Sequence, residues 1–598
     1  MRTFGLSLLL AQELPIHLPP AHSQSTIAAL KISRRTSVLS AGLALAVMAG
    51  WFYWSWPGRA NMAAYLPADC VAFLEADDLV ELADQLGSSE AWTKLAAPLG
   101  ARSTLLPNRW LIRLARWTGI GSGDVILFAR SQFAIVFTGV EETEADATLK
   151  IKPLTTLIIE THTTQSRMRS ILERHVEDFA RAHGQPSLVQ KQIDGVDLAE
   201  WSSSDGARHI TLAFVGTVAI VGNDESSVIR CVDARRGKRA SLLGNQQLEH
   251  ARAQVDAGGA PLFGFVSKAG VKPILQAWAL YLFSSNQNAT TIAPIFASVF
   301  SNLIEGFAWT SRFAEGRAED RCFLQLSEGV ADKLRGSAVP EDRAPANEIT
   351  FVPPDAYSVS VYHFRDVERL WRDVNTVVSS HADVVGAIAA RPLLRTLFPP
   401  YGINDPDTFV SAVGTRLATI RLEDDSPSVL VAGAFDRPSL RKLALQRLGP
   451  TAKTETVGDA ELMLSSSDNF AASFAGDHFL TGNGDALRRC LQSRAQSESL
   501  ASVDSYRRSQ LLIDNSLPII ALTFTDDRRP AISFIELFSP SHRSAFSTNN
   551  ASIDQASRSL PYAVSVTMLK ENGFEWTSRS AFGVFGSLAI RFVPENSR

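Results

Sequence analysis

The sequence predicts an α+β protein: an N-terminal transmembrane helix followed by two homologous domains, each a mostly antiparallel sheet with packed helices. Three observations lead there. Residues 37–56 form a run without charge. The rest of the chain is written twice, with a period too long for a solenoid and suited to paired domains. Within each copy, strand-like runs joined by tight turns alternate with helical patterns, and strands on such short links must pair antiparallel.

The uncharged run reads "SVLSAGLALAVMAGWFYWSW". As a helix its twenty residues cover about 30 Å, the thickness of a bilayer core. Trp51, Tyr53, Trp54 and Trp56 gather at its C-terminal end, where interfacial aromatics belong. Lys31, Arg34 and Arg35 precede it and only Arg59 follows closely, which places the N-terminus in the cytoplasm and the chain after residue 57 outside. "SRRTSVL" also resembles a twin-arginine export signal, although Ser37 stands where that motif takes a large apolar residue. The length and the aromatic belt favour an uncleaved anchor over a cleaved signal. The earlier "FGLSLLLA" is too short to span a membrane.

The duplication rests on collinear matches. "YLPADCVAFLEADDL" (65–79) pairs with "FVPPDAYSVSVYHFRDV" (351–367), and "GIGSGDV" with "GINDPDT". "TLIIETHTTQSRMRSIL" pairs with "SVLVAGAFDRPSLRKLAL", and "WSSSDG" with "LSSSDN". "FVGTVAIVGNDESSVIRC" pairs with "FAGDHFLTGNGDALRRC", which sets Cys231 opposite Cys490. "APLFGFV" pairs with "LPIIALT", and "GFAWTSRFA" (306–314) closes the series against "GFEWTSRSA" (573–581). The expected organisation is a cytoplasmic tail 1–36, a transmembrane helix 37–56, a juxtamembrane linker 57–64, repeat 1 over 65–335, a linker 336–350 and repeat 2 over 351–598.

Local signals follow the same plan. Asp78 with Glu81, three residues on, forms a capping box for a helix reaching about Leu95, and Asp366 opens its counterpart. Met168, Ile171, Leu172, His175, Val176 and Phe179 make one face of a helix over 164–183. In an extended GFxWTSR run, Phe307 and Trp309 share a face opposite Thr310 and Arg312, and Phe574 and Trp576 a face opposite Thr577 and Arg579. The nonapeptides are therefore read as homologous core strands. Arg312 and Arg579 are the candidate interaction residues if a paired site lies there. Gly306 is read as the end of a helix and "KENGF" as a hairpin.

Chemistry is sparse. The chain has 58 basic and 62 acidic residues with no concentrated basic stripe, so no nucleic-acid partner is expected. The four cysteines lie far apart without C-x-x-C and are read as buried thiols. No nucleophile elbow, H-E-x-x-H, EF-hand or kinase motif occurs. "GNDES" and "GNGDA" lack the phosphate-loop pattern and are read as capped turns. Glu160 and His162 share a strand face, and His175 is the one nearby third metal ligand. The second copy has Ala432 and Ala434 there, so a strand-end pair is favoured. The "SSSD" runs read as turns, and Asp69 and Asp355 as turn-fixing residues rather than acids. "ILQAWALYLF" and "IAPIFASVFSNLI" read as core helices ahead of a pocket lining or membrane-surface segment.

With the anchor, the L-P-A-D-type opening and the two G-F-x-W-T-S-R runs, the chain resembles an uncharacterised bacterial domain-of-unknown-function family of membrane-anchored extracytoplasmic proteins. That resemblance implies a periplasmic, single-pass envelope protein of the inner membrane and supplies no catalytic residues. The expected role is a non-enzymatic scaffold or interaction module. Its expected partners are the cytoplasmic membrane, through residues 37–56, and an envelope protein or lipid; no cofactor and no metal are expected. The alternatives are an apolar-ligand binder between the two copies and an unrecognised hydrolase.

Overall fold

Each half opens on the same turn. The amide of Cys70 donates to the Pro67 carbonyl at 3.0 Å and that of Ala356 to the Pro353 carbonyl at 3.1 Å. The aspartate inside each turn is held by an arginine that precedes a buried cysteine. Asp69 pairs with Arg230 at 2.9 Å and Asp355 with Arg489 at 2.9 Å. Cys231 and Cys490 are fully buried on the matching helices Glu225–Arg235 and Gly484–Ala495.

The computed structural model describes residues 60–598 apart from 78, 102–130, 146–147, 162, 183–187, 204–207, 283–288, 342–346, 425–427, 515–516, 538–549 and 593–598. Twenty strands lie among the described residues. The first half holds β1 (Ala72–Ala76), β2 (Gln132–Ala145), β3 (Thr148–Glu160), β4 (Val189–Ile193), β5 (Val196–Ser202), β6 (His209–Val215), β7 (Val218–Gly222), β8 (Leu262–Val266), β9 (Ile304–Ala314) and β10 (Arg317–Leu326). The second holds β11 (Ser358–His363), β12 (Val413–Arg421), β13 (Val429–Ala434), β14 (Lys453–Val457), β15 (Ala460–Leu464), β16 (Phe470–Ala475), β17 (His478–Asn483), β18 (Ile519–Thr525), β19 (Ala563–Lys570) and β20 (Gly573–Ser580).

The pairings trace one antiparallel sheet in the order β4-β5-β6-β7-β3-β2-β1-β8-β9-β10, then β20-β19-β18-β11-β12-β13-β17-β16-β15-β14. Every strand of the first half has its counterpart ten strands later, and the order is mirrored about the β10–β20 join. The registers give residue equivalences. Ala72 faces Val266 and Ser358 faces Thr525; Val266 faces Phe307 and Thr525 faces Ala563. Phe307 of β9 therefore corresponds to Ala563 of β19, and Cys322 of β10 to Ser578 of β20. At the join Arg321 faces Thr577, and these two positions are each other's equivalents, so a local pseudo-twofold passes between them.

Two expectations are corrected here. The two copies do not form separate sheets. Left alone, β10 and β20 would each expose an edge of unpaired amides and carbonyls, and pairing them removes both edges. The remaining ends, β4 ("VQKQI") and β14 ("KTETV"), are mostly exposed and polar, a composition that discourages further pairing. The transmembrane helix, with its single-pass topology, has no counterpart among the described residues either. Among the described residues no helix is long and apolar enough to cross a membrane. The twelve-residue apolar helix Ala289–Phe300 covers only about 18 Å. Residues 37–56, where the sequence places a span, lie outside the described residues.

The cores show the same fusion. One hydrophobic cluster joins Leu82, Leu86, Trp92 and Trp309 of the first half to Phe534, Ile535, Leu560 and Phe582 of the second. Another joins Val299, Leu303, Val330 and Leu334 to Val377, Val378, Ala390 and Leu394. Each fully buried Leu or Phe contributes roughly 2–3 kcal/mol, so the shared clusters oppose separation of the halves. The helices read as core, Lys268–Leu282 and Ala289–Phe300, pack on each other, and the second also contacts helix Val384–Arg395 of the other half. Helix Gln165–Ala182 buries Met168, Ile171, Leu172 and Val176. Asp366 caps helix Val367–His381 through the amide of Arg369 at 2.9 Å, whereas Asp78 lies outside the described residues. Of the segment read as a linker, Ser337 and Ala338 end a helix in buried positions, and Glu348 and Ile349 are buried too.

Candidate functional site

The two nonapeptides sit on either side of β10, in register with each other. Cys322 faces Trp309 on one side and Trp576 on the other, and Glu319 faces both Arg312 and Arg579. This corrects the reading of the motifs as homologous strands. The first lies on β9 and the second on β20, whereas the topological counterpart of β9 is β19. Gly306 does not end a helix; it lies within β9. A Cβ there would stand 2.9 Å from the Val266 carbonyl oxygen, and one at Gly573 would stand 2.1 Å from that of Leu324. Close approach by a neighbouring strand explains glycine in both motifs.

One face of this seam carries the candidate arginines. Glu319, with a side chain only 5% exposed, receives Arg312 at 2.8 Å and Arg579 at 3.2 Å, with Arg321 at 3.4 Å. Arg312 also reaches Asp256 at 2.9 Å. Burial disfavours the Glu319 carboxylate, but the hydrogen bonds and charges of its arginines outweigh that and hold it below the usual range. The structure thus brings Arg312 and Arg579 together, and their charges are answered by Glu319 and Asp256. The cluster is a pin across the halves.

The opposite face holds a cavity of about 440 Å³ lined by Asp320, Asp527, Tyr357, Trp576, Ser565, Ser578 and Ser580, with Phe534, Phe582 and Ile590 among its apolar walls. Asp320 accepts from the Trp309 indole at 3.2 Å and from the Val584 amide at 2.9 Å, so a strand residue caps helix Gly583–Phe592. Gly583 makes this possible: its φ is +65°, and a Cβ would stand 2.6 Å from Asp320 Oδ2. Asp527 accepts from the Ala581 amide at 2.6 Å through Oδ2, while its buried Oδ1 has no partner. Burial raises both carboxyls above their ordinary value; for Asp527 the charge of Arg317 opposes the shift without cancelling it.

The cavity follows from broken symmetry. Ala563, Ser565, Ser578 and Ser580 line it, and the equivalent positions of the first half carry Phe307, Trp309, Cys322 and Leu324 by the registers above. Small residues leave open in one half what large ones fill in the other. The sequence reading missed Asp320 and Asp527. The available signal was an acid at Asp320 on the same strand face as Cys322 and Leu324, since a lone acid on an apolar face needs a partner.

The other candidates have structural partners. Glu160 is buried and accepts from the Thr217 hydroxyl at 2.6 Å; His162 lies outside the described residues. Among the described residues no group of three His, Cys, Asp or Glu could hold a metal. In "GNDES", Asp224 caps helix Glu225–Arg235 and the Asn223 side chain bonds Thr155 and Pro153; Asn483 caps the matching helix. In the second "SSSD" turn, Asp468 pairs with Arg447 at 2.6 Å. All four cysteines are buried and free, with Cys70, Cys231 and Cys490 pushed up to about 12 by burial, so they are poor nucleophiles. No protein-family model, curated protein or solved structure matches the chain.

Proposed function

We propose that the protein is a non-enzymatic binding module whose ligand is a small, largely apolar molecule held in the seam cavity. The observation that carries this reading is a 440 Å³ cavity beside the join of the halves, apolar along most of its wall and furnished with a few convergent polar groups. That is the ordinary character of a small-ligand site. Its chemistry favours binding over hydrolysis. The lining includes no His, Lys or Cys, Ser565 and Ser578 bond each other at 3.0 Å, and each aspartate already holds a backbone amide.

The test is native mass spectrometry of the full chain, beside a variant that restores the first half's bulk, Ser565→Trp. A co-purified small molecule present on the wild type and lost from a folded Ser565→Trp variant is the expected result. Equal adducts on both, or no adduct and no thermal shift with any small amphiphile, would overturn the reading.

A further inference from the structure

We infer that the seam cavity selects a protonated amine carried on an apolar body, with Asp527 Oδ1 as the counter-charge. This rests on the ligand-binding reading above and adds the chemistry of the ligand's head.

Four observations lead to it. The first is the unused acceptor. Asp527 lines the cavity and spends Oδ2 on the Ala581 amide, and its Oδ1 is buried without a partner. Buried acceptors are nearly always satisfied, and a donor arriving in the cavity would supply what the protein does not.

The second is the balance of charge. The charged side chains in the cavity lining are Asp527 and Asp320, both acidic, while the guanidinium of Arg317 acts on Asp527 from outside that lining. Arg317 lies 3.8 Å from Glu90 and spends a further donor on the Tyr562 carbonyl. Arg528 is occupied by a bidentate pair with Asp526. The lining itself therefore holds two acids and no base, so a cation improves its balance while a carboxylate worsens it.

The third is the aromatic wall. Trp576 is 41% exposed and lines the same cavity as Asp527. An indole in the wall of an acidic cavity adds to its attraction for an ammonium group. Phe534, Phe582 and Ile590 provide the apolar surface for the remainder of the molecule.

The fourth is the comparison between halves. By the strand registers, the position of Asp527 corresponds to Lys268, which pairs with Glu305 at 2.6 Å. The fold thus accepts opposite charges at this position. The carboxylate accompanies the cavity, not the sheet.

The experiment is calorimetric titration of the full chain with octylammonium, octanol and octanoate, repeated on Asp527→Asn and Trp576→Leu. Asparagine keeps an oxygen for the Ala581 amide, and circular dichroism with a melting curve establishes that each variant is folded. Octylammonium is expected to bind at least tenfold more tightly than octanol, with no measurable octanoate binding. Asp527→Asn should weaken octylammonium tenfold or more and leave octanol within twofold, and Trp576→Leu should weaken octylammonium severalfold. Equal binding of octylammonium and octanol, or an unchanged octylammonium affinity in folded Asp527→Asn, would overturn the amine inference while leaving the cavity reading intact. If none of the three probes binds the wild type, the cavity reading falls with it.

Discussion

Trp309 and Trp576 occupy the same place in the same seven-residue pattern and face the same residue, Cys322, from opposite sides. Yet Trp309 is 6% exposed and donates to a buried aspartate, while Trp576 is 41% exposed beside a cavity. Position in the sheet accounts for the likeness. Both strands flank β10, so both carry an aromatic on the Cys322 face and an arginine on the Glu319 face, while their glycines meet carbonyls of different strands, Val266 of β8 and Leu324 of β10. Their surroundings account for the difference, because the second half lines its side of the seam with serine and alanine. Similar strands can thus be anchors in one half and the rim of a site in the other.

The largest expected effect comes from breaking that pair unequally. Trp309→Ala should cost about 3–5 kcal/mol, the range for a large aromatic removed from a core, while Trp576→Ala should cost about 1 kcal/mol or less. Urea unfolding of the two variants measures the gap, and equal losses would erase the distinction. Next is Gly583→Ala, which places a methyl against Asp320 in a left-handed backbone position. A loss of about 1–3 kcal/mol in the same assay is expected.

The Glu319 pin sharpens the comparison on the other face. Glu319→Gln should cost about 1–2 kcal/mol at neutral pH, a value reduced from that of a fully buried pair because the arginines are one-third exposed. The native carboxyl lies below its unfolded value, so this contribution is complete above the unfolded pKa of about 4.3. It fades as pH falls through the native pKa. Unfolding curves of wild type and Glu319→Gln should therefore stay separated above about pH 5 and converge in acid. A gap that widened on acidification would reverse the sign. The smallest expected effect belongs to the opening turns. Asp69→Asn and Asp355→Asn remove half-exposed or more exposed pairs and should each cost about 1 kcal/mol or less.

Much of each half was legible locally. The Pro-x-Asp turns, the Asp366 cap, the apolar face of helix Gln165–Ala182 and the matched Cys231 and Cys490 all depend on neighbours within a few residues or on a repeated order. The join of β10 to β20 was not legible, because it is a contact between residues about 260 positions apart and nothing in either strand names its partner. The nonapeptide match also pointed to the wrong equivalence: two strands beside a common neighbour share its demands without sharing a place in the repeat. The cavity was hidden for a related reason. Ser565 and Ser578 read as ordinary strand residues until the register sets them against Trp309 and Cys322.

The central claim is that the halves form one sheet sealed at β10–β20. Native-state hydrogen exchange on the full chain tests it most directly. Amides paired across the seam, from Ala318 to Gln325 and from Gly573 to Ser580, should exchange as slowly as those of β1 and β11, through global unfolding alone. Seam amides exchanging orders of magnitude faster, while β1 and β11 stayed protected, would show two domains that merely touch and would contradict the account.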